Sequence, residues 1–384
     1  MSFIKEMLAQ LSEQHLRRTL TQHDDQPGRL ITIEGEQVLN FSSNNYLGLA
    51  LHSRLIEAAR DALGGGTGST ASRLVTGNLR LHEELETGLG RLHGVSGARL
   101  FNSGYQANLG LISSLAGPED LIVSDQLNHA SVIDGCRLSR ARVLVADHAD
   151  PASFRKLLAT SGACRRRFVV TDSVFSMDGD LAPLVELRDL CDNQDAMLIV
   201  DEAHAVGALG PNGAGICAAM GVEADALVGG FGKAFGSYGG YVAGSSELCE
   251  YLLNRARSFV FSTALPPAVA AASLEALHLL TGEEGNSKRA TLDQRINQLR
   301  NGLADLNLLE AGAGQSPIFP IIAGEAETAM RASDSLRRAG VFCQAIRPPT
   351  VARGKSRLRI ALSALHTEAD VDRLLSSLAE LQLG

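Results

Sequence analysis

MLIVDEAH (residues 197–204) and, one helix-length on, ALVGGFGKAFGSYGGYVAGSS (residues 226–246) decide how this chain is read. Met197 to Val200 is a short, wholly apolar run, the pattern of a strand covered on both faces, and it delivers Asp201 and His204 at its carboxyl end. Ala226 to Val228 is a second such run. It opens into a glycine-rich apolar turn whose single charge, between Asp225 and Glu247, is Lys233. An ammonium flanked by Phe231, Phe235 and several glycines is either desolvated or covalently engaged, and desolvation makes a lysine nucleophilic. The bland reading of any lysine is a solvated surface charge, and this setting argues against it.

Working outward, Leu121 to Ser124, Arg142 to Ala146 and Phe168 to Thr171 repeat the pattern, each followed by a turn and a helical stretch. This predicts an α/β fold with a mostly parallel sheet, in which ligands gather beyond the carboxyl ends of the strands. From Glu283 the character changes. A long amphipathic helix through Arg300, short strands near Ile318 to Ile322 and Leu358 to Leu362, and a closing helix from Glu368 predict a smaller α+β domain. The expected organisation is an N-terminal helix and extension over 1–45, a large domain over 46–282 and a small C-terminal domain over 283–384.

Composition narrows the function. The 384 residues are 45% hydrophobic and 20% charged, with a formal net charge of −8, which argues against binding nucleic acid through a general basic surface. The first twenty residues alternate apolar and charged at helical spacing, without the apolar core of a signal peptide. The most apolar late stretch, Ala264 to Leu280, contains two prolines and Glu275. A cytoplasmic protein that touches neither membrane nor nucleic acid is expected. The six cysteines lie far apart with no C-x-x-C pair, so they are expected to be reduced and to bind no metal.

Competing motifs fail. A P-loop ending at Lys233 needs glycine at position 227 and Ser or Thr at 234, where Leu227 and Ala234 stand. DEAH also spells a helicase motif, but that requires the same missing P-loop. The partial dinucleotide fingerprint at Gly66 to Ala71 follows a helical run, Leu55 to Leu63, rather than a strand. FNSGYQA (101–107) runs from a strand into a helix, whose N-terminus suits a phosphate. The bland reading of Asp201 is a helix cap, but a carboxylate at this place pairs naturally with a protonated pyridine nitrogen, as an electron-sink cofactor requires. His129, in SDQLNHAS, is by itself structural or a ring that stacks on a planar group.

Together these residues resemble the α-oxoamine synthases, pyridoxal-phosphate enzymes of the aspartate-aminotransferase fold (fold type I) that condense an amino acid with an acyl-CoA and release CO₂. The blocks, in order, are FSSNNYLGL from Phe41, GTGSTASRLVTGN from Gly66, SGYQAN from Ser103, DQLNHAS from Asp125, DSVFSMDGDLAPL from Asp172, VDEAHAVGALGPNGAG from Val200, FGKAFG from Phe231, FSTALPP from Phe261 and RLRIALSALH from Arg357. AIRPPTVARGKSRLR from Ala345 looks typical of the branch that joins L-alanine to a pimeloyl thioester, carried on CoA or on an acyl-carrier protein.

The resemblance implies that Lys233 carries pyridoxal 5'-phosphate as a Schiff base, that Asp201 pairs with the pyridine nitrogen and that His129 stacks on the ring. Ser176 and His204 are implied at the ring hydroxyl, and the backbone of Gly104 and Tyr105 at the phosphate. Arg18, Asn44, His129, Thr350 and Arg359 are implied at substrate, with Arg359 forking onto the amino-acid carboxylate and Arg18 meeting the acyl chain, where Arg17 competes. The catalytic set is then Lys233, His129, Asp201 and His204. Two departures stand out: Gly230 replaces the phosphate-binding threonine usual three residues before the lysine, and Ala352 replaces a usual proline. Ser262 and Thr263 are implied to reach the phosphate of a neighbouring subunit, so a homodimer with shared active sites is expected.

Overall fold

Three apolar runs that end in aspartate become neighbouring parallel strands: Leu121–Asp125, Arg167–Asp172 and Ala196–Asp201. The computed structural model to which they belong describes residues 2–24 and 28–381. The chain divides into two compact units, one of Leu49–Ser176 and Leu181–Arg289, the other of Met1–Gly48, Met177–Asp180 and Ala290–Gly384.

The larger unit is built on a seven-stranded sheet in the order Gly97–Phe101, Gly240–Gly244, Ala226–Gly230, Ala196–Asp201, Arg167–Asp172, Leu121–Asp125, Arg142–Ala146. Only Gly240–Gly244 runs against the rest, pairing antiparallel with both neighbours. Its reversal follows from the turn that carries Lys233, which joins it directly to Ala226–Gly230 without a crossover helix. The five apolar runs read from the sequence are all strands here. Central strands such as Leu121–Asp125 and Ala226–Gly230 are buried along their whole length, whereas Arg142–Ala146, at the sheet edge, exposes Arg142 and Val145.

Helices Gly104–Leu115 and Ala130–Ser139 cover one face of this sheet. Leu111, Ile112, Val132 and Cys136 form one core cluster with Ile122, Phe168, Val170, Ile199, Val228 and Val242. Each such side chain contributes about 1.5–3 kcal/mol by leaving water. The two helices cross closely because Gly135 stands where a Cβ would press on Asn108 O and Ile112, both at 3.1 Å.

The smaller unit holds two three-stranded sheets. One orders Leu30–Ile33, Glu36–Asn40 and Val341–Phe342, the other Ile318–Gly324, Ser356–Ala361 and Ala345–Ile346. Helices Ala326–Arg338 and Glu368–Ala379 belong to it. The amphipathic helix expected through Arg300 runs Glu283–Asp305. All six cysteines are free; five are buried and Cys164 is partly so. Burial pushes the Cys136, Cys191 and Cys343 thiols up to about 12, so they are unreactive at neutral pH. Among the described residues no helix is long and apolar enough to cross a membrane.

Candidate active site

The polar end of the large sheet collects the groups that matter. Asp201, 8% exposed, accepts a hydrogen bond from Asn108 Nδ2 at 2.6 Å on one oxygen and from Ala203 N at 2.8 Å on the other. Asn108 sits one turn into helix Gly104–Leu115 and also donates to Ser131 Oγ at 2.9 Å. Both oxygens thus accept hydrogen bonds, the geometry of a carboxylate placed to hold a protonated ring nitrogen.

His129 caps helix Ala130–Ser139. Its Nδ1 lies 2.7 Å from Ser131 Oγ, and its backbone N–H donates to Asp172 Oδ2 at 3.2 Å. Burial lowers the imidazole pKa, the Asp201 charge opposes that, and the Lys233 charge adds to it. The ring is therefore neutral at pH 7, a planar surface in the field of both a carboxylate and an amine. Tyr105 meets it edge-on, with ring centroids 6.3 Å apart, and is held by a hydrogen bond from its hydroxyl to Asp134.

Lys233 lies in the turn between Ala226–Gly230 and Gly240–Gly244. The turn is fastened by Phe231 N to Gly239 O (3.0 Å), Ser237 N to Phe231 O (2.9 Å) and Gly236 N to Lys233 O (2.9 Å). Phe231 and Phe235 are fully buried, with rings 5.2 Å apart, so the turn is anchored on both sides of the half-buried lysine. A Cβ at Gly230 would lie 4.0 Å from Lys233 Nζ and 3.7 Å from Ala203 Cβ, both ordinary contacts.

The turn at Ser103 opens a helix whose first N–H groups suit an anion. Ser103 Oγ accepts from Gln106 N at 3.1 Å, leaving the Gly104 and Tyr105 N–H groups as the first two of the helix, without intrahelical acceptors. Strand Gly240–Gly244 passes so close that a Cβ at Gly240 would stand 2.7 Å from Gly104 Cα and nearer still to its nitrogen. Thr263 O accepts from Asn102 Nδ2 at 2.8 Å, so the Ser262–Thr263 segment is tied by its backbone to the start of this turn, with Thr263 exposed. Ser176 follows strand Arg167–Asp172, and His204 is buried three residues past Asp201. An amine, a backed carboxylate, a neutral imidazole and an anion-binding helix start are the donor set that pyridoxal phosphate needs, and the residues fit it. Among the described residues no group of His, Cys, Asp and Glu suits a metal ion.

The remaining expected residues belong to the smaller unit and form two pairs. Arg18 donates to Thr350 Oγ1 at 2.9 Å. The buried Tyr46 hydroxyl donates to Asn44 Oδ1 at 3.3 Å and is also hydrogen-bonded to Arg359, itself 6% exposed. Among the other arginines, Arg165 and Arg166 both bond Asp120, and Arg357 is buried in an ion pair with Asp178.

Sequence reasoning passed over Asn108, Tyr46 and Asp172. Asn108 had a signal: it is a polar residue inside the apolar run of GYQANLGLISSL. Asp172 had the very signal that singled out Asp201, an acid ending an apolar strand.

A model of the aminotransferase class I and II family matches residues 36–378. The 8-amino-7-oxononanoate synthase of Anaeromyxobacter dehalogenans is 48% identical over 375 residues, 97% of this chain and 93% of that protein. The 8-amino-7-oxononanoate synthase 2 of Bacillus subtilis is 44% identical, over 98% of this chain and 96% of its own. Among solved structures, one of SPT with PLP as an internal aldimine superposes with a TM-score of 0.92 at 30% identity, covering 98% of this chain and 96% of that one. The lysine turn, the backed aspartate and the capped anion cradle thus lie inside a match that spans nearly the whole sequence, and the chain belongs to the aminotransferase class I and II family.

Proposed function

We propose that this protein is a pyridoxal-phosphate-dependent C-acyltransferase that condenses L-alanine with a pimeloyl thioester, yielding 8-amino-7-oxononanoate, CO₂ and the free thiol carrier, the step its relatives perform in making biotin. The observation that carries this reading is near-full-length identity of 44–48% to enzymes of that name, combined with the Lys233, Asp201 and His129 group. Pyridoxal phosphate supplies an electron sink for the pair left on the amino-acid Cα when its proton departs.

The residues have distinct tasks. Lys233 Nζ would hold the cofactor covalently and, as a free amine, would take the Cα proton and return one to the product carbon. Asp201, backed by Asn108, would hold the protonated ring nitrogen. His129 would stack on the ring, and His204 and Ser176 would serve the ring hydroxyl. The Gly104 and Tyr105 N–H groups hold the phosphate, with Ser262 and Thr263 contributed to the partner of a homodimer. Arg359, steadied through Tyr46, presents its fork to the amino-acid carboxylate. Arg18 and Thr350, already hydrogen-bonded to each other, are a cation and hydroxyl suited to the far carboxylate of a dicarboxylic acyl chain. His129 also meets substrate, and Asn44 steadies it beside Tyr46. We assign the reaction to the cytoplasm.

The test pairs spectroscopy with turnover. Purified protein should show the visible band of covalently bound cofactor, and Lys233→Ala should lose both that band and all turnover. CoA release against a panel of amino acids and acyl-CoAs should be fastest with L-alanine and pimeloyl-CoA. Turnover confined to glycine would overturn the alanine assignment.

A further inference from the structure

Asp172 ends its strand directly beside Asp201, its Cα partner on the next parallel strand. Both side chains are buried, at 3% and 8% exposure. Two adjacent buried carboxyls do not both keep a charge, and hydrogen bonds to the ionised form decide which one does. Asp201 has two such bonds, from Asn108 and Ala203. Asp125, at the end of the strand on the other side, has three: Leu127 N at 2.8 Å, Ala149 N at 2.8 Å and His148 Nδ1 at 2.9 Å. Among the described residues Asp172 has one, the 3.2 Å bond from His129 N to Oδ2, and its buried Oδ1 has no hydrogen-bond partner. The charges that face it are Asp201, Asp125 and Lys233; of its other neighbours, His129 is neutral and Asn128 uses its Oδ1 to accept from Asp172 N.

We propose that Asp172 is a neutral carboxylic acid in the resting protein, a positioning residue that fastens His129 by its backbone and leaves Asp201 the charged carboxyl of the pair. Burial first, and the Asp201 charge second, push the Asp172 carboxyl well above the usual range; the His129 bond and Lys233 pull the other way. Its neutrality has a purpose at this site. A second negative charge there would compete with Asp201 for the ring proton and would hold the Lys233 amine protonated, working against its role as a base. The catalytic meaning of the proposal rests on the reading of Asp201 and Lys233 above.

The test is infrared spectroscopy of protein labelled with ¹³C on its aspartate carboxyls, which separates Asp172 from the buried Glu202. At neutral pH the wild type, with and without cofactor, is expected to show the C=O stretch of an un-ionised aspartic acid, and Asp172→Asn to lose it. Absence of that band in the wild type overturns the proposal, whether or not the variant folds. In holoenzyme, Asp172→Asn, a neutral isostere, should move the pH midpoint of the cofactor band by well under one unit. Asp172→Ala, which removes the acceptor for His129 N, should raise the cofactor Kd about fivefold. A midpoint shift of about one unit or more in Asp172→Asn, the mark of a lost charge beside Lys233, overturns the proposal. An acid band in protein that binds no cofactor sinks the functional reading and leaves Asp172 standing.

Discussion

Gly230 and Gly240 face each other across the two strands that flank Lys233, yet they are glycine for different reasons. Gly240 is required by a neighbour: a Cβ there runs into the backbone of Gly104, which cannot swing aside as a side chain would. Gly240→Ala is expected to lower stability by about 1–3 kcal/mol, as overpacking does, and to weaken cofactor binding by displacing the anion cradle. Urea unfolding and a cofactor titration measure the two effects. Gly230 is not required in this way, since a Cβ there makes only ordinary contacts at 3.7 and 4.0 Å. Gly230→Ser should fold with an unchanged urea midpoint. If its hydroxyl supplies the phosphate contact this chain lacks, cofactor dissociation slows; a variant that folds but releases cofactor no more slowly assigns that contact elsewhere.

Helix Gly104–Leu115 shows how one element links two tasks. Its capped first turn leaves N–H groups suited to an anion, and one turn later Asn108 reaches Asp201 and Ser131. Ser103→Ala removes the cap bond to Gln106 N and should cost about 1 kcal/mol of stability. Asn108→Ala removes one of the two hydrogen bonds that hold the Asp201 carboxylate in place and so weakens its grip on a ring nitrogen. We expect kcat to fall about 10–100-fold. A kcat unchanged across the pH range would show that Asn108 does not support Asp201. This link was hard to read in advance for a physical reason. Apolar strands ending in Asp, and a lone lysine among glycines, are local patterns that burial imposes on sequence. The pairing of Asn108 with Asp201, or of Asp172 with Asp201, depends on which strands become neighbours, and strand order is a non-local property. Asp172 carried the same local mark as Asp201, but only the sheet shows that two such acids share one place.

Across the whole chain, the least legible feature is that Met1–Gly48 and Ala290–Gly384 share one unit. Neither Glu36–Asn40 nor the two-residue Val341–Phe342 stands out by periodicity, and nothing local says that Val341–Phe342 pairs parallel with Leu39–Asn40. His366 helps fasten these distant segments. It is 3% exposed and stacked on Phe41, with ring centroids 4.2 Å apart. Its Nδ1 accepts from Ser363 N at 3.1 Å and its Nε2 donates to Asn40 O at 3.0 Å, an arrangement open only to the neutral ring. Burial drives its pKa down to about 4, with the Asn40 bond and Asp370 opposing and Arg29 adding. In the unfolded chain the ring takes a proton below about pH 6.5. Between those values the folded state binds fewer protons than the unfolded one, so the stabilisation is complete above about pH 6.5 and is lost as pH drops toward about 4. Between about pH 7.5 and about pH 5 that loss amounts to roughly 2 kcal/mol from this one group. Urea unfolding of the wild type and of His366→Gln at both pH values separates this term from every other titration. His366→Gln should be the less stable protein near neutrality and should give up roughly 2 kcal/mol less on acidification. An equal acid loss in both proteins would mean that His366 accepts its proton without leaving the fold, and that the Asn40 and Ser363 contacts do not depend on a neutral ring.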